Sequence, residues 1–131
     1  MLFRSLEEAL AIWRDLERKK PGAYLPDLAR TLTNLGNPYS VENRMGEARK
    51  VCEEALQIQR DLARNNPDAY RPDVAMTLTN LGILHSAENR MEEARKAFEE
   101  ALAIYQEFAR RSPGQYQSRV DGVKNLLDGL K

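Results

Sequence analysis

Reactive side chains are scarce in this sequence. Its 131 residues include one cysteine, Cys52, and one histidine, His85. A lone cysteine makes no internal disulfide, and without paired Cys and His spacing there is no zinc signature. No Gly-rich phosphate loop, H-E-x-x-H run or Ser/His/Asp set occurs, so little catalytic vocabulary remains. No enzyme, cofactor or metal is expected. Charge of one sign is missing too: 20 Lys and Arg offset 20 Asp and Glu. No bulk field therefore recruits nucleic acid or an anionic membrane. No apolar run approaches the roughly 18 residues that a membrane span needs, and residues 1–6 lack the apolar core of a signal peptide. The expectation is a soluble protein in a reducing, cytoplasmic setting, with one domain's worth of chain.

What the sequence has is a repeat. Ala9-Leu10-Ala11-Ile12, Ala55-Leu56-Gln57-Ile58 and Ala101-Leu102-Ala103-Ile104 recur every 46 residues. Residues 9–54 and 55–100 share about 30 identical positions with no insertion, and the chain starts and stops inside a unit. Met45, Ala48, Cys52, Ala55, Ile58 and Leu62 step by three and four, one stripe of a helix B. Val74, Leu78, Leu81, Gly82 and His85 mark a helix A, with Pro72 near its first turn and Asn89, repeated as Asn43, near its end. Lys20-Pro21, Asn66-Pro67 and Ser112-Pro113 end the B helices, and Tyr24, Tyr70 or Tyr116 follows to pack across each corner. The order is B, A, B, A, B, A with no strand. In residue ranges, 1–131 is a single domain. Residues 1–20 are helix B of a partial unit, 26–66 and 72–112 are full A and B pairs, and 116–130 are a terminal helix or cap.

These residues resemble the tetratricopeptide repeat, which has Leu-Gly then Tyr in helix A, and Ala, an apolar residue, then Ala in helix B. Leu35, Gly36, Tyr39, Ala48, Cys52 and Ala55 stand in those places, as do Leu81, Gly82, His85, Ala94, Phe98 and Ala101. The unit is longer than usual and looks like the long repeats of kinesin light chains and bacterial scaffold proteins. The resemblance implies an all-α superhelix, a TPR solenoid of six antiparallel helices, in which Gly36, Gly82, Ala48 and Ala94 allow close helix approach. Asn37-Pro38 departs from the pattern. Interior proline costs roughly 3 kcal/mol or more, so a kink or break is expected near residues 36–38.

By the same resemblance, the A helices line a concave groove. At 100° per residue, Met76, Thr79, Asn80, Ile83, Ser86 and Ala87 form a stripe well away from the core stripe, and Arg30, Thr33, Asn34, Asn37, Ser40 and Val41 are its counterpart. Asn125 adds a third asparagine if one residue is deleted, so Asn34, Asn80 and Asn125 would form an amide ladder. An amide donates and accepts at once, which suits the backbone of an extended peptide. Alternatively these asparagines bond to neighbouring helices and fix repeat spacing. Family members that hold a C-terminal carboxylate use Lys and Arg, but the matching positions here are Thr33, Asn37, Asn80, Gly122 and Leu126. That ligand is not expected.

Adjacent pairs such as Glu53-Glu54 diverge by about 100° on a helix and share no substrate. His85 takes the slot of Tyr39 and Cys52 that of Phe98, so both read as packed side chains. Trp13, Gln59 and Tyr105 share one position whose variation argues against a common core contact. Two non-catalytic functions compete: a peptide-binding module, or a homo-oligomer formed through uncovered repeat ends. At the ends, Leu2, Phe3 and Leu6 lack a covering helix, whereas Lys124, Asp128 and Lys131 partly cap the last one. Helix exchange at a hinge near Pro38 is a second route to the oligomer.

Overall fold

The computed structural model describes residues 2–130, with side chains from Arg4 to Leu130. The expectations placed on Met1 and Lys131 and on the side chains of Leu2 and Phe3 therefore lie outside the described residues. Six helices follow in order: α1 Leu2–Lys19, α2 Leu25–Val41, α3 Met45–Asn65, α4 Pro67–Ala87, α5 Met91–Arg111 and α6 Pro113–Asp128. Among the described residues there is no strand. Each helix packs chiefly on its neighbours in sequence, and α2 also touches α4. The result is an all-α solenoid in which α2, α4 and α6 (helices A) form one layer and α1, α3 and α5 (helices B) the other.

Asparagines end two of the A helices. Asn43 and Asn89 adopt φ of 61° and 62°, a left-handed conformation that asparagine tolerates better than most residues. The chain then folds back, so that the Arg44 N–H donates to the Tyr39 carbonyl and the Arg90 N–H to the His85 carbonyl, both at 2.8 Å. Carbonyls left over at the helix end are thereby satisfied.

The opposite corners are tighter than the sequence pattern suggests. Asn66 is both the last cap of α3 and the first of α4: its N–H donates to the Leu62 carbonyl at 3.0 Å, while its carbonyl accepts from the Tyr70 N–H at 3.2 Å. Pro67 and Pro113 open α4 and α6, where a missing N–H is harmless. The A helices thus begin ahead of Pro72 and Tyr116, and Pro72 lies inside α4. Only the first corner unwinds before its helix. There Gly22 takes a φ of +89°, and the Glu17 carboxylate accepts the Gly22 N–H and, at 3.0 Å, the Tyr24 N–H. Gly114 in the third unit stays helical, so glycine alone does not unwind the corner. Glu17 supplies these acceptors only here, since Ala63 and Ala109 hold its position in the other units.

The tyrosine after each proline does pack across the first and third corners. Trp13 and Tyr24 have ring centroids 5.9 Å apart, and Tyr116 meets Phe108 edge-on at 5.5 Å.

No break occurs near Pro38. α2 continues through it to Val41, which corrects the expected break. The physical reason is position. Pro38 sits in the final turn, its carbonyl accepts the Glu42 N–H at 3.1 Å, and the carbonyl that its missing N–H leaves unpaired belongs to exposed Asn34.

Close approach of A to B helices depends on the two glycines. A Cβ on Gly36 would lie 2.8 Å from Cys52 Sγ, and one on Gly82 would lie 2.4 Å from Phe98 Cε1. Ala48, Ala55, Ala94 and Ala101 are fully buried beside them. Burying Leu28, Leu32 and Leu35 around Cys52, and Val74, Leu78 and Ile104 around Phe98, builds two apolar clusters bridged by Leu56. Each such side chain contributes about 1.5–3 kcal/mol relative to exposure.

Polar links tie successive units. In the B layer, Arg14 makes a two-pronged pair with Glu54 at 2.7 and 2.9 Å, and Arg60 repeats it with Glu100 at 2.6 and 2.9 Å. In the A layer, the Thr33 and Thr77 hydroxyls lie 3.3 Å apart, and Thr77 donates to Gln59 Oε1 at 2.6 Å.

Candidate functional site

The A layer presents three linked depressions. The first, about 300 Å³, is lined by Arg30, Thr33, Asn34, Gln59, Asp73 and Met76 among others. A second, about 220 Å³, involves Gly36, Asn37, Cys52, Asn80 and Ile83. The third, about 360 Å³, is bounded by Met76, Thr79, Asn80, Tyr105, Arg119 and Leu126. Met76 belongs to the first and third and Asn80 to the second and third, so they form one continuous surface across α2, α4 and α6.

Larger hollows, about 540 Å³ each, lie elsewhere. One is lined by Arg60, Arg64, Arg71 and Glu100. Its arginines are engaged by Glu100, Asp61 and Glu107 respectively, so size does not make it a receptive site. The other is the open end of α5 and α6, lined by Gln106, Arg110, Gln117 and Lys124.

Eight of the nine residues expected at a peptide site line the A-layer surface: Arg30, Thr33, Asn34, Asn37, Met76, Thr79, Asn80 and Ile83. They are not equivalent. Arg30, Asn34 and Asn37 are exposed, and Met76 and Ile83 expose about 36% and 46% of their surface. Thr33 is buried. Its hydroxyl donates to the Ala29 carbonyl at 3.0 Å and faces Thr77, so its side chain serves packing between units. Thr79 similarly donates to the Ala75 carbonyl at 2.8 Å. Among the described residues, no hydrogen bond to another residue engages the side-chain amides of Asn34, Asn37 or Asn80.

Asn125 does not join them. The third depression is lined by Gly122, Val123 and Leu126, which are Met76, Thr77 and Asn80 advanced by one undeleted repeat. In that register Leu126 holds the third rung and Asn125 matches Thr79, so the asparagine ladder has two members.

Reading Trp13, Gln59 and Tyr105 as free of core contacts is also corrected. Gln59 and Tyr105 are 4% and 3% exposed, and both reach through the B layer to the groove floor. The signal was the shared position itself. Variation there reflects a change of local partner, from the Gln59–Thr77 hydrogen bond to the packing of Tyr105 against the Tyr116 ring and Arg119, and not an absence of contact.

Two further charges of the groove, Asp73 and Arg119, escaped the sequence reading. Burial pushes the Asp73 carboxyl up from its ordinary value, opposed by the nearby Arg30. Burial also raises the Tyr105 hydroxyl, against the pull of Arg119 and of hydrogen bonding with Arg119 and Thr79. The Arg119 guanidinium sits 5.9 Å from the Tyr105 ring centroid. The repeat position shared by Asp73 and Arg119 thus carries opposite charges along the groove.

Neither single-copy reactive group has the setting of a catalyst. Cys52 is fully buried and its thiol is pushed up to about 11 by burial, so thiolate is rare at neutral pH. His85 Nδ1 is buried without a partner, whereas Tyr39 in the same slot donates to Glu7 Oε2 at 2.9 Å. No cluster of three or more metal-ligating side chains occurs among the described residues, and no helix there is long and apolar enough to cross a membrane.

No curated protein matches this sequence. A family model described as tetratricopeptide repeat matches residues 27–107, from the first turn of α2 to the last turns of α5. Its members are non-catalytic protein-interaction modules. With the repeat, the paired helices and the glycine contacts in place, the chain belongs to the tetratricopeptide repeat family.

Proposed function

We propose that this chain is a non-catalytic docking module that holds an extended peptide segment of a protein partner along α2, α4 and α6. The observation that carries the reading is the continuous surface over the A layer, on which the Asn34, Asn37 and Asn80 amides are left unengaged beside half-exposed Met76 and Ile83. Amides there match the alternating donors and acceptors of a peptide backbone, and apolar neighbours match its side chains. Balanced charge, 20 against 20, gives no reason to add nucleic acid or a membrane as partner. A reducing, cytoplasmic setting suits the single buried thiol.

The test is selection of binders from a displayed library of random peptides. Asn80→Ala is expected to weaken the selected peptides at least fivefold while leaving the melting temperature within a degree or two. A large loss of stability with binding unchanged would make the amide structural and reject the role given to it.

A second reading, self-association, is favoured by one observation. Ile12 on α1 is 59% exposed, whereas Ile104 at the same repeat position is 5% exposed. The opposite end is different. Ala75, Leu78 and Gly82, which α4 turns toward α5, are replaced on α6 by Asp121, Lys124 and Asp128, all exposed. Head-to-tail stacking would bury those charges at a cost of several kcal/mol each, so association would run through α1. Light scattering that shows only monomer across a concentration series would reject it.

A further inference from the structure

The two full units differ beneath the groove at the position of Cys52 and Phe98. In the second unit the Phe98 ring lies against Gly82, so close that a Cβ there would stand 2.4 Å from it, and the residue is 1% exposed. The first unit keeps the glycine, Gly36, but has Cys52 in place of the phenylalanine. A thiol reaches far less distance than a phenyl ring. Just at that place a cavity of about 220 Å³ opens on the groove, with Gly36, Cys52, Ile83 and Leu84 lining it and Asn37 and Asn80 at its polar edge. None of these groups is charged at neutral pH, and water held there would face a largely apolar wall.

We propose that this cavity is a side-chain subsite of the peptide groove, taking one aromatic or long aliphatic side chain of the bound segment where the next unit uses its own Phe98. The inference rests on the groove reading above and adds what the ligand must carry. The second unit shows which side chain fits between glycine and helix B in this architecture: a benzyl group. Asn37 and Asn80, belonging to α2 and α4, are placed to bond the ligand backbone on either side of the inserted residue. Burial of that side chain is favourable because the cavity offers it apolar contacts and no unpaired charge.

The experiment uses the full chain and the same displayed library of random peptides. Selected sequences are expected to share one Phe, Leu, Ile or Met, and replacing it with Ala is expected to weaken binding at least tenfold. Cys52→Phe, which supplies the plug internally, is expected to cause a similar loss with the melting temperature unchanged or higher. Ile83→Lys, on the half-exposed rim, gives the same loss without touching the core and decides the matter should Cys52→Phe fold poorly. Selected peptides with no shared apolar residue overturn the subsite. Equal affinity for wild type, Cys52→Phe and Ile83→Lys does so too, while binding that Asn80→Ala still weakens leaves the groove standing. No enrichment of any peptide overturns the groove reading itself.

Discussion

Gly82→Ala is expected to be the most damaging single-methyl change in this chain, and the repeat supplies its own control in Gly36→Ala. Two effects oppose each other. In a helix interior, alanine is favoured over glycine by about 1 kcal/mol. Against this, the new Cβ on residue 82 would lie 2.4, 2.6 and 2.8 Å from three atoms of the Phe98 ring, which is 1% exposed and enclosed by the core. Overpacking of this kind costs about 1–3 kcal/mol and sometimes more. Three contacts with a ring that has nowhere to turn place it at or beyond the upper end, for a net loss of about 2 kcal/mol. At Gly36 the same methyl meets only Cys52 Sγ at 2.8 Å, and that sulfur can rotate toward the adjoining cavity, so the two effects nearly cancel. For a chain of this size each kcal/mol moves the melting temperature by about 3–4 °C. Gly82→Ala should therefore melt about 7 °C lower and Gly36→Ala within about 2 °C of wild type, read by far-UV circular dichroism. In a Phe98→Cys background the cost of Gly82→Ala should largely disappear, a coupling typical of residues in contact. Equal effects of the two glycine changes, or no coupling with residue 98, would refute the close-approach argument.

Other consequences are open to the same measurement. Thr77→Val leaves the buried Gln59 amide without the donor now 2.6 Å away and should cost about 1–3 kcal/mol, with much of it recovered by adding Gln59→Leu. His85→Tyr restores the hydroxyl that lets Tyr39 reach Glu7 at 2.9 Å. With Glu53 in the matching place it should stabilise by about 1 kcal/mol, and no gain would show that the helix spacing differs between units. The Arg14 and Arg60 hydrogen bonds hold the Glu54 and Glu100 carboxyls below their ordinary value of 4.5. Their contribution is complete above that pH and is lost as pH falls through the lowered values. Being well exposed, each pair contributes at most about 1 kcal/mol, so Glu54→Gln with Glu100→Gln should destabilise modestly at pH 7 and progressively less as pH falls through the lowered values. Asp73→Asn removes a carboxylate that burial disfavours and should raise the melting temperature slightly at pH 7, a gain that shrinks as pH falls and Asp73 takes up its proton.

The fold was legible because a period without insertions turns every buried contact into a pattern seen twice. Gly36 with Cys52 and Gly82 with Phe98 could be paired on paper, and the structure pairs them. Helix ends were less legible where one residue plays two roles. Asn66-Pro67 reads as a stop, yet in the fold it is stop and start together, since proline is a breaker only when preceding residues need its N–H. Pro38 was misread for the same reason, being in the last turn and not the middle of α2. At the site, a stripe computed on one helix cannot tell a residue facing open groove from one facing the next helix of the same layer. That is why Thr33 was counted as ligand-facing. Gln59, Tyr105 and Arg119 were missed because they come from the other layer or from the ragged third unit, where register is hardest to follow.

The polar links between units also differ between the two layers. On the groove side the connection is short: two threonine hydroxyls 3.3 Å apart on helices that touch. On the far side the connections are long side chains reaching from α1 to α3 and from α3 to α5, half in water. Salt therefore weakens the links of the outer layer, over a screening length of about 8–10 Å at physiological ionic strength, and leaves the contact between uncharged threonines on the groove side unaffected.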